Sequence, residues 1–375
     1  MQNIPVSRPD ISNEDLTAVQ SAMVSLELSG HSPTVGIFEK NFADYLNVKD
    51  VVAVSNGSVA IDLSIEALDI KKSDICIVPT FTIISTVAEL ARRGAKIKLV
   101  DADPLTWSMD IHKTLEMIDH RVKLVLPVHI YGLPVDMDPL LEVQKNLDFS
   151  ILEDAAEAVG VRYKQRLCGA IGNLGTFSFY ANKLITCGEG GAIATNDLDL
   201  SEKLRSLRNL KFSKIERFVH DGFGYNARLS GLAASLVNSQ LQRIEVLSKK
   251  KRDLVDLYLN GLKNHPWITS HISEVPYAFN SYWVFGIQIA DKGPFNAKGL
   301  QKVLKDRGIE TRRFFCPLHL QPFIKDFDFI FDRGNLKISE SLWERGLYLP
   351  LGSGIKHEEV DRVIECLWDL TKPQV

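Results

Sequence analysis

The feature that most limits how this chain folds is a series of short apolar runs at 51–54, 75–78, 96–100, 122–128, 149–152 and 176–180. Each is too short for a helix, and most show no apolar–polar alternation, so both faces ask to be buried. Stretches of helical spacing separate most of them. Ile61, Ile65 and Leu68 lie on one face of 58–68, and a second helical pattern over 85–93 stops at Gly94, a C-cap residue. Strands apolar on both faces and joined by helices predict an α/β fold with a mainly parallel sheet between helical layers.

Past Leu229 the character changes. The pattern is helical and increasingly charged to about Leu262, and Lys249-Lys250-Lys251-Arg252 on it reads as a solvated helix face. A strand-like 282–289 and helix-like 297–307 and 357–370 follow. This tail predicts a smaller α/β domain, with the chain divided into 1–245 and 246–375.

Composition narrows the function. Of 375 residues, 45% are hydrophobic and 24% charged, which is ordinary for a globular protein. Lys and Arg number 44 against 47 Asp and Glu, so nothing electrostatic favours a nucleic-acid partner. The five cysteines are scattered without a CxxC pair, which argues against a disulfide framework or a zinc ribbon, and no metal site is expected. The N-terminus lacks a basic and apolar leader, and no apolar run is long enough to span a bilayer, so a cytoplasmic protein without membrane attachment is expected.

In open α/β sheets, ligands gather at the carboxyl ends of the strands. Three segments put chemistry there. Ser55-Asn56-Gly57-Ser58 follows the first run, and a helix opening at Ser58 would aim free N–H groups at a phosphate; the same residues also suit a plain turn with a serine cap. Glu153-Asp154-Ala155-Ala156-Glu157 puts two adjacent carboxylates at a strand end, costly to bury unpartnered, although Asp154 also suits a helix cap. Lys183 follows the run 176–180 among apolar neighbours and is either a desolvated nucleophile or a snorkelling surface lysine. Gly188-Glu189-Gly190-Gly191 is no dinucleotide fingerprint, and phosphate-loop and Gly-x-Ser-x-Gly motifs are missing. His129 at a strand end suits a structural role. A phosphate cradle, an acid and a buried lysine at one sheet edge together fit pyridoxal 5′-phosphate: the acid keeps the pyridine nitrogen protonated and the lysine carries the cofactor.

On these segments the sequence resembles the DegT-type family of sugar-nucleotide aminotransferases, which have the fold type I architecture of pyridoxal-phosphate-dependent transferases. The resemblance extends through Pro79-Thr80-Phe81-Thr82, Phe177-Ser178-Phe179-Tyr180, Gly224-Tyr225-Asn226 with Arg228, Pro317-Leu318-His319 and Gly346-Leu347-Tyr348-Leu349-Pro350. It implies Lys183 as the Schiff-base lysine and catalytic acid–base, with Asp154 on the pyridine nitrogen. Asn56, Gly57, Ser58, Ile83, Glu157, Ser178 and Asn226 are implied around the cofactor. Phe81, Glu189, Arg228 and His319 are implied on the substrate side. Asn226 would reach the neighbouring subunit's cofactor phosphate, making a homodimer with shared active sites. Ile83 departs from the family, which usually has an aromatic there.

Asn182-Lys183, Gly188-Glu189-Gly190-Gly191 and Tyr282-Trp283 are similar to the GDP-perosamine synthase branch. That implies transfer of an amino group from L-glutamate to C4 of a nucleotide-linked 4-keto-6-deoxy sugar, for surface polysaccharides such as the O-antigen of lipopolysaccharide. Other readings are amination at C3 or at the terminal carbonyl of an acidic sugar, a sugar dehydratase, whose known relatives carry histidine in place of the lysine, and a non-enzymatic regulator.

Overall fold

Eight strands form the larger sheet in a computed structural model that describes residues 3–216, 218–331 and 333–372. Their order across the sheet is Asp50–Val54, Gly191–Thr195, Leu174–Ser178, Ser150–Asp154, Val122–Val125, Ile75–Pro79, Lys96–Val100 and Phe329–Ile330. Only Gly191–Thr195 runs against its neighbours; every other pairing is parallel. All six expected strands are present. The fourth is shorter than 122–128 because Pro127 has no N–H to extend the ladder.

Both faces of this sheet are covered, as its apolar runs require. In Asp50–Val54, Val52 and Val54 join one core with Ile61 and Leu63 of the helix Gly57–Ala67. Val51 and Ala53 join the opposite core, with Phe38 and Phe42 of Pro33–Leu46 and Val237 of Gly231–Gln242.

A second sheet is antiparallel, in the order Ile268–Ser270, Phe285–Ile289, Gly346–Leu349, Arg312–Arg313. The helices Ile244–Gly261, Ala297–Asp306 and His357–Asp369 pack on it around Tyr258, Phe285, Leu300, Leu347 and Val363. The two cores do not divide at one point in sequence. Ile4 sits in the smaller core and exchanges backbone hydrogen bonds with Gly308 and Glu310, while Phe329–Ile330 extends the larger sheet. A division into 1–245 and 246–375, which we retain as a proposal, therefore carries two exceptions.

Two contacts tie the smaller unit to the larger near the strand ends. His271 stacks on Trp107 with ring centroids 4.0 Å apart. Its Nε2–H donates to the Thr106 carbonyl at 2.8 Å, and its Nδ1 accepts from Asn280 at 3.0 Å. Ser281 and Trp283 donate their N–H groups to the carbonyls of Gly132 and Tyr131. Gly132 sits at φ +95°, and a Cβ there would lie 2.7 Å from the Trp283 nitrogen, so the position requires glycine.

The basic run is not uniformly solvated. Lys249 pairs with Asp253 and Lys250 with Asp10, and Arg252 is exposed. Lys251, however, is only 5% exposed. It lies four residues after Leu247 and three and four before Leu254 and Val255, on the stripe that the helix buries.

Candidate active site

The site is built outward from a buried carboxylate. Glu153 accepts the N–H groups of Gly169 at 2.9 Å and of Ile171 and Gly172 at 2.6 Å each, and the Nε2–H of His129 at 3.0 Å. The carboxylate favours a second proton on His129, but the Val135 N–H is aimed at Nδ1 at 3.1 Å and fixes the neutral Nε2–H tautomer. Four donors thus satisfy one charge away from water. The next residue, Asp154, is clamped through its backbone, its N–H on Pro127 and its carbonyl accepting from His129. Its side chain accepts the Ala156 N–H at 3.0 Å in a tight turn, so it caps no helix.

Asp154, Glu157 and Lys183 share a cavity of about 590 Å³. Burial raises the pKa of Asp154, opposed by the Ala156 N–H and by the charge of Lys183. Burial also raises Glu157, opposed chiefly by Lys183; the Glu157 carboxylate accepts the Tyr131 N–H at 2.7 Å. Burial lowers Lys183, while Glu157 and Asp154 support its charge. Lys183 Nζ stands 3.8 Å from the ring centre of Trp283, whose Nε1–H donates to the Asn182 carbonyl at 3.1 Å.

The opposite end of the cavity is a cradle of main chain. The helix begins at Gly57, with Asn56 as its cap accepting the Val59 N–H at 2.9 Å, so the cap is Asn56 rather than Ser58. A Cβ on Gly57 would lie 2.8 Å from Cβ of Ser178, and one on Gly191 would lie 2.5 Å from the Asn56 carbonyl. The free N–H groups of the first turn face the cavity end, as anion sites at helix starts do. Thr82 Oγ1 and Asn182 Oδ1, buried on the same cavity, have no partner among the described residues. A phosphate cradle, a clamped acid, a desolvated lysine and two orphaned polar atoms fit pyridoxal phosphate.

The cavity brings together Asn56, Gly57, Ser58, Ile83 and Ser178 with Asp154, Glu157, Lys183 and Glu189. Four sequence candidates lie off it. Phe81 is buried against Tyr131 and Phe314. His319 is buried between Thr80 at 2.8 Å and Glu340 at 3.0 Å and braces the segment that leads to the cavity. Arg228 is held by Asn209 at 2.6 Å, and Asn226 bridges to Asn209. Sequence reasoning missed Arg312 and Phe315, which line the cavity from the smaller unit, and held Tyr348, beside them, only within a family segment. Trp283 was legible only as part of a family motif. Among the described residues no cluster suited to a metal ion occurs, and no helix is long and apolar enough to cross a membrane.

Comparison with known proteins agrees with this geometry. Residues 9–368 match the model of the DegT/DnrJ/EryC1/StrS aminotransferase family. The GDP-perosamine synthase of Caulobacter vibrioides is 34% identical over 370 residues, covering 98% of each chain. The structure of E. coli GDP-4-keto-6-deoxy-D-mannose-3-dehydratase with bound hydrated PLP superimposes with a TM-score of 0.90 at 26% identity, covering 98% of this chain and 100% of that one. The structure of S. venezuelae DesV gives 0.89 at 29% identity, with both chains fully covered.

Proposed function

This chain belongs to the DegT/DnrJ/EryC1/StrS family and is a pyridoxal 5′-phosphate-dependent sugar aminotransferase, and from that premise we propose that it moves an amino group from L-glutamate to C4 of a nucleotide-linked 4-keto-6-deoxy sugar. The observation that carries the substrate reading is the end-to-end similarity to GDP-perosamine synthases together with Asn182-Lys183 in the cavity.

When bound, the cofactor supplies an electron sink for the carbon that loses its proton. The chain's own residues do the rest. The first turn at Gly57 and Ser58, with Ser178 beside it, holds the phosphate. Asp154, clamped at both backbone ends, stabilises positive charge on the ring nitrogen. Lys183 carries the cofactor, and once free it takes the proton from the donor's α-carbon and later returns one to the sugar carbon that receives nitrogen. Its desolvation favours the neutral amine that this step needs. Glu157, with one oxygen held by the Tyr131 N–H, would help position the cofactor in the cavity it shares with Lys183.

A dehydratase reading draws on the 0.90 TM-score to a 3-dehydratase. The lysine at 183 favours transfer over dehydration, because the dehydratase relatives carry histidine in its place. The exposed segment carrying Asn226 supports a homodimer in which that side chain completes the neighbouring copy's phosphate site.

The test combines one variant with a substrate panel. Lys183→Ala should eliminate the borohydride-trapped cofactor adduct and lower transamination by ~10²–10⁴-fold. Mass spectrometry should find the amine formed from glutamate and GDP-4-keto-6-deoxymannose. Faster reaction of a 3-keto sugar or of an acidic sugar with a terminal aldehyde would overturn the C4 reading.

A further inference from the structure

Lys183 is faced by a second cavity, which the mechanism leaves unused. This chamber, of about 190 Å³, adjoins the cofactor cavity and shares Ala156, Glu157, Lys183 and Trp283 with it. Ser248 and Lys251 of the helix Ile244–Gly261 form part of its wall. Its charged groups are Glu157, Lys183 and Lys251, with Arg162 and Arg252 on the exposed rim. Arg162 donates to the Gln165 carbonyl at 3.0 Å. Asp154, outside the chamber, also acts on Lys183. Lys251 is 5% exposed; its ammonium makes no hydrogen bond or ion pair with a described residue and meets only the space of the chamber. Drawing a cation largely out of water with no anion bonded to it is costly, and a leucine or methionine at this point of the helix would pack at no such cost.

We infer that Lys251 is a positioning residue for proton transfer: its charge, sharing one chamber with Lys183 and Glu157, holds the Lys183 nitrogen unprotonated and Glu157 a carboxylate. The inference rests on the reading of Lys183 as acid and base. Two ammonium groups beside one carboxylate compete for it, so a proton on either disfavours a proton on the other. A neighbouring cation is an established means of freeing a lysine for chemistry. The balance is poised near neutrality: burial, then the like charge of Lys183, bring Lys251 down to about 7 against the pull of Glu157. The same charge favours the ionised form of Glu157, one oxygen of which accepts the Tyr131 N–H.

The test uses the cofactor-bound enzyme and two variants. Lys251→Met removes the charge at similar volume, and Lys251→Arg keeps it at every working pH. The visible absorbance of the bound cofactor, titrated with pH, reports protonation of the nitrogen that joins it to Lys183. Lys251→Met should raise the midpoint by about one unit, a tenfold shift in the proton equilibrium. Lys251→Arg should leave it at or below the wild-type value. The acid limb of single-turnover kinetics with glutamate should move up in the Met variant and return in the Arg variant. Should Lys251→Met fail to fold, Lys251→Gln serves as a polar neutral replacement. An unchanged midpoint in the neutral variant, or equal shifts in the neutral and Arg variants, would overturn the inference. A wild-type enzyme without a borohydride-reducible absorbance band would overturn the underlying reading of Lys183, and the inference with it, before any Lys251 variant is made.

Discussion

One side of the cofactor cavity is finished by the chain's own hydrogen bonds, and a surface away from the cavity is left bare. On the finished side, Glu153 and the Asp154 backbone are fixed by six hydrogen bonds to parts of the same chain, and Trp283 is tied to both Tyr131 and Asn182. On the bare side, the stretch around Asn226 exposes Ile215 at 96% and Phe223 at 98% of their surface. These are the side chains that the proposed homodimer would cover. The contrast separates two tasks: the acid beside the cavity is preorganised by local hydrogen bonds, whereas the proposed contribution of Asn226 to a neighbouring copy would depend on association. A disturbance on the finished side should reach stability and chemistry together, and one on the bare side should reach assembly first.

The sharpest way to break that contrast is Glu153→Ala. It strands three backbone N–H groups and the His129 Nε2–H inside the core, so unfolding in urea should show a loss of about 3–5 kcal/mol. A loss under 1 kcal/mol would mean that the clamp beneath Asp154 is not structural.

A smaller effect is expected from pH. Burial pushes the pKa of His271 down to about 4, whereas unfolded histidine titrates near ~6.5. Between those values the unfolded chain takes up a proton that the folded one refuses. The neutral ring's contribution is therefore complete above ~6.5 and is lost as pH falls toward 4, by about 3 kcal/mol in all. Urea midpoints measured from pH 4.5 to 7 should be steeper in the wild type than in His271→Gln; equal slopes would place the sensitivity elsewhere.

The smallest effect falls on the bare side. Phe223→Asp should leave the single chain's unfolding within about 0.5 kcal/mol of wild type, yet weaken the proposed dimer by about tenfold or more, read by light scattering on dilution. A large loss of chain stability with the assembly intact would reverse the assignment of the two sides.

The same division governs what could be read in advance. Strands such as 51–54 and 75–78 were legible because doubly apolar runs have one stable home. Gly191–Thr195 was not, because its small residues follow a glycine-rich turn and carry little apolar signal; it pairs between Asp50–Val54 and Leu174–Ser178, with Gly191 closely approached by the backbone of Asn56 and Gly57. The residues at the strand ends assembled as expected, because local turns deliver them. His319 did not, because its partner Glu340 lies 21 residues further on. Arg312 and Tyr348 come from a different sheet, so no local pattern points at the cavity. Lys251 carried a usable signal in its spacing from Leu247 and Leu254, masked by the charge of its neighbours.

The pairing of Phe329–Ile330 with Lys96–Val100 has a consequence for synthesis. In the folded chain the Ile97 N–H donates to the Asp328 carbonyl at 2.9 Å. On the ribosome, the strand at 96–100 emerges well before its cover. At about 5–20 residues per second the interval is roughly 10–45 s. For that time the rim of the nascent sheet presents open ladder groups, the kind of surface on which other chains can add. Lys96 and Lys98 in that strand supply charge during the wait, which discourages such addition until the last third of the chain arrives.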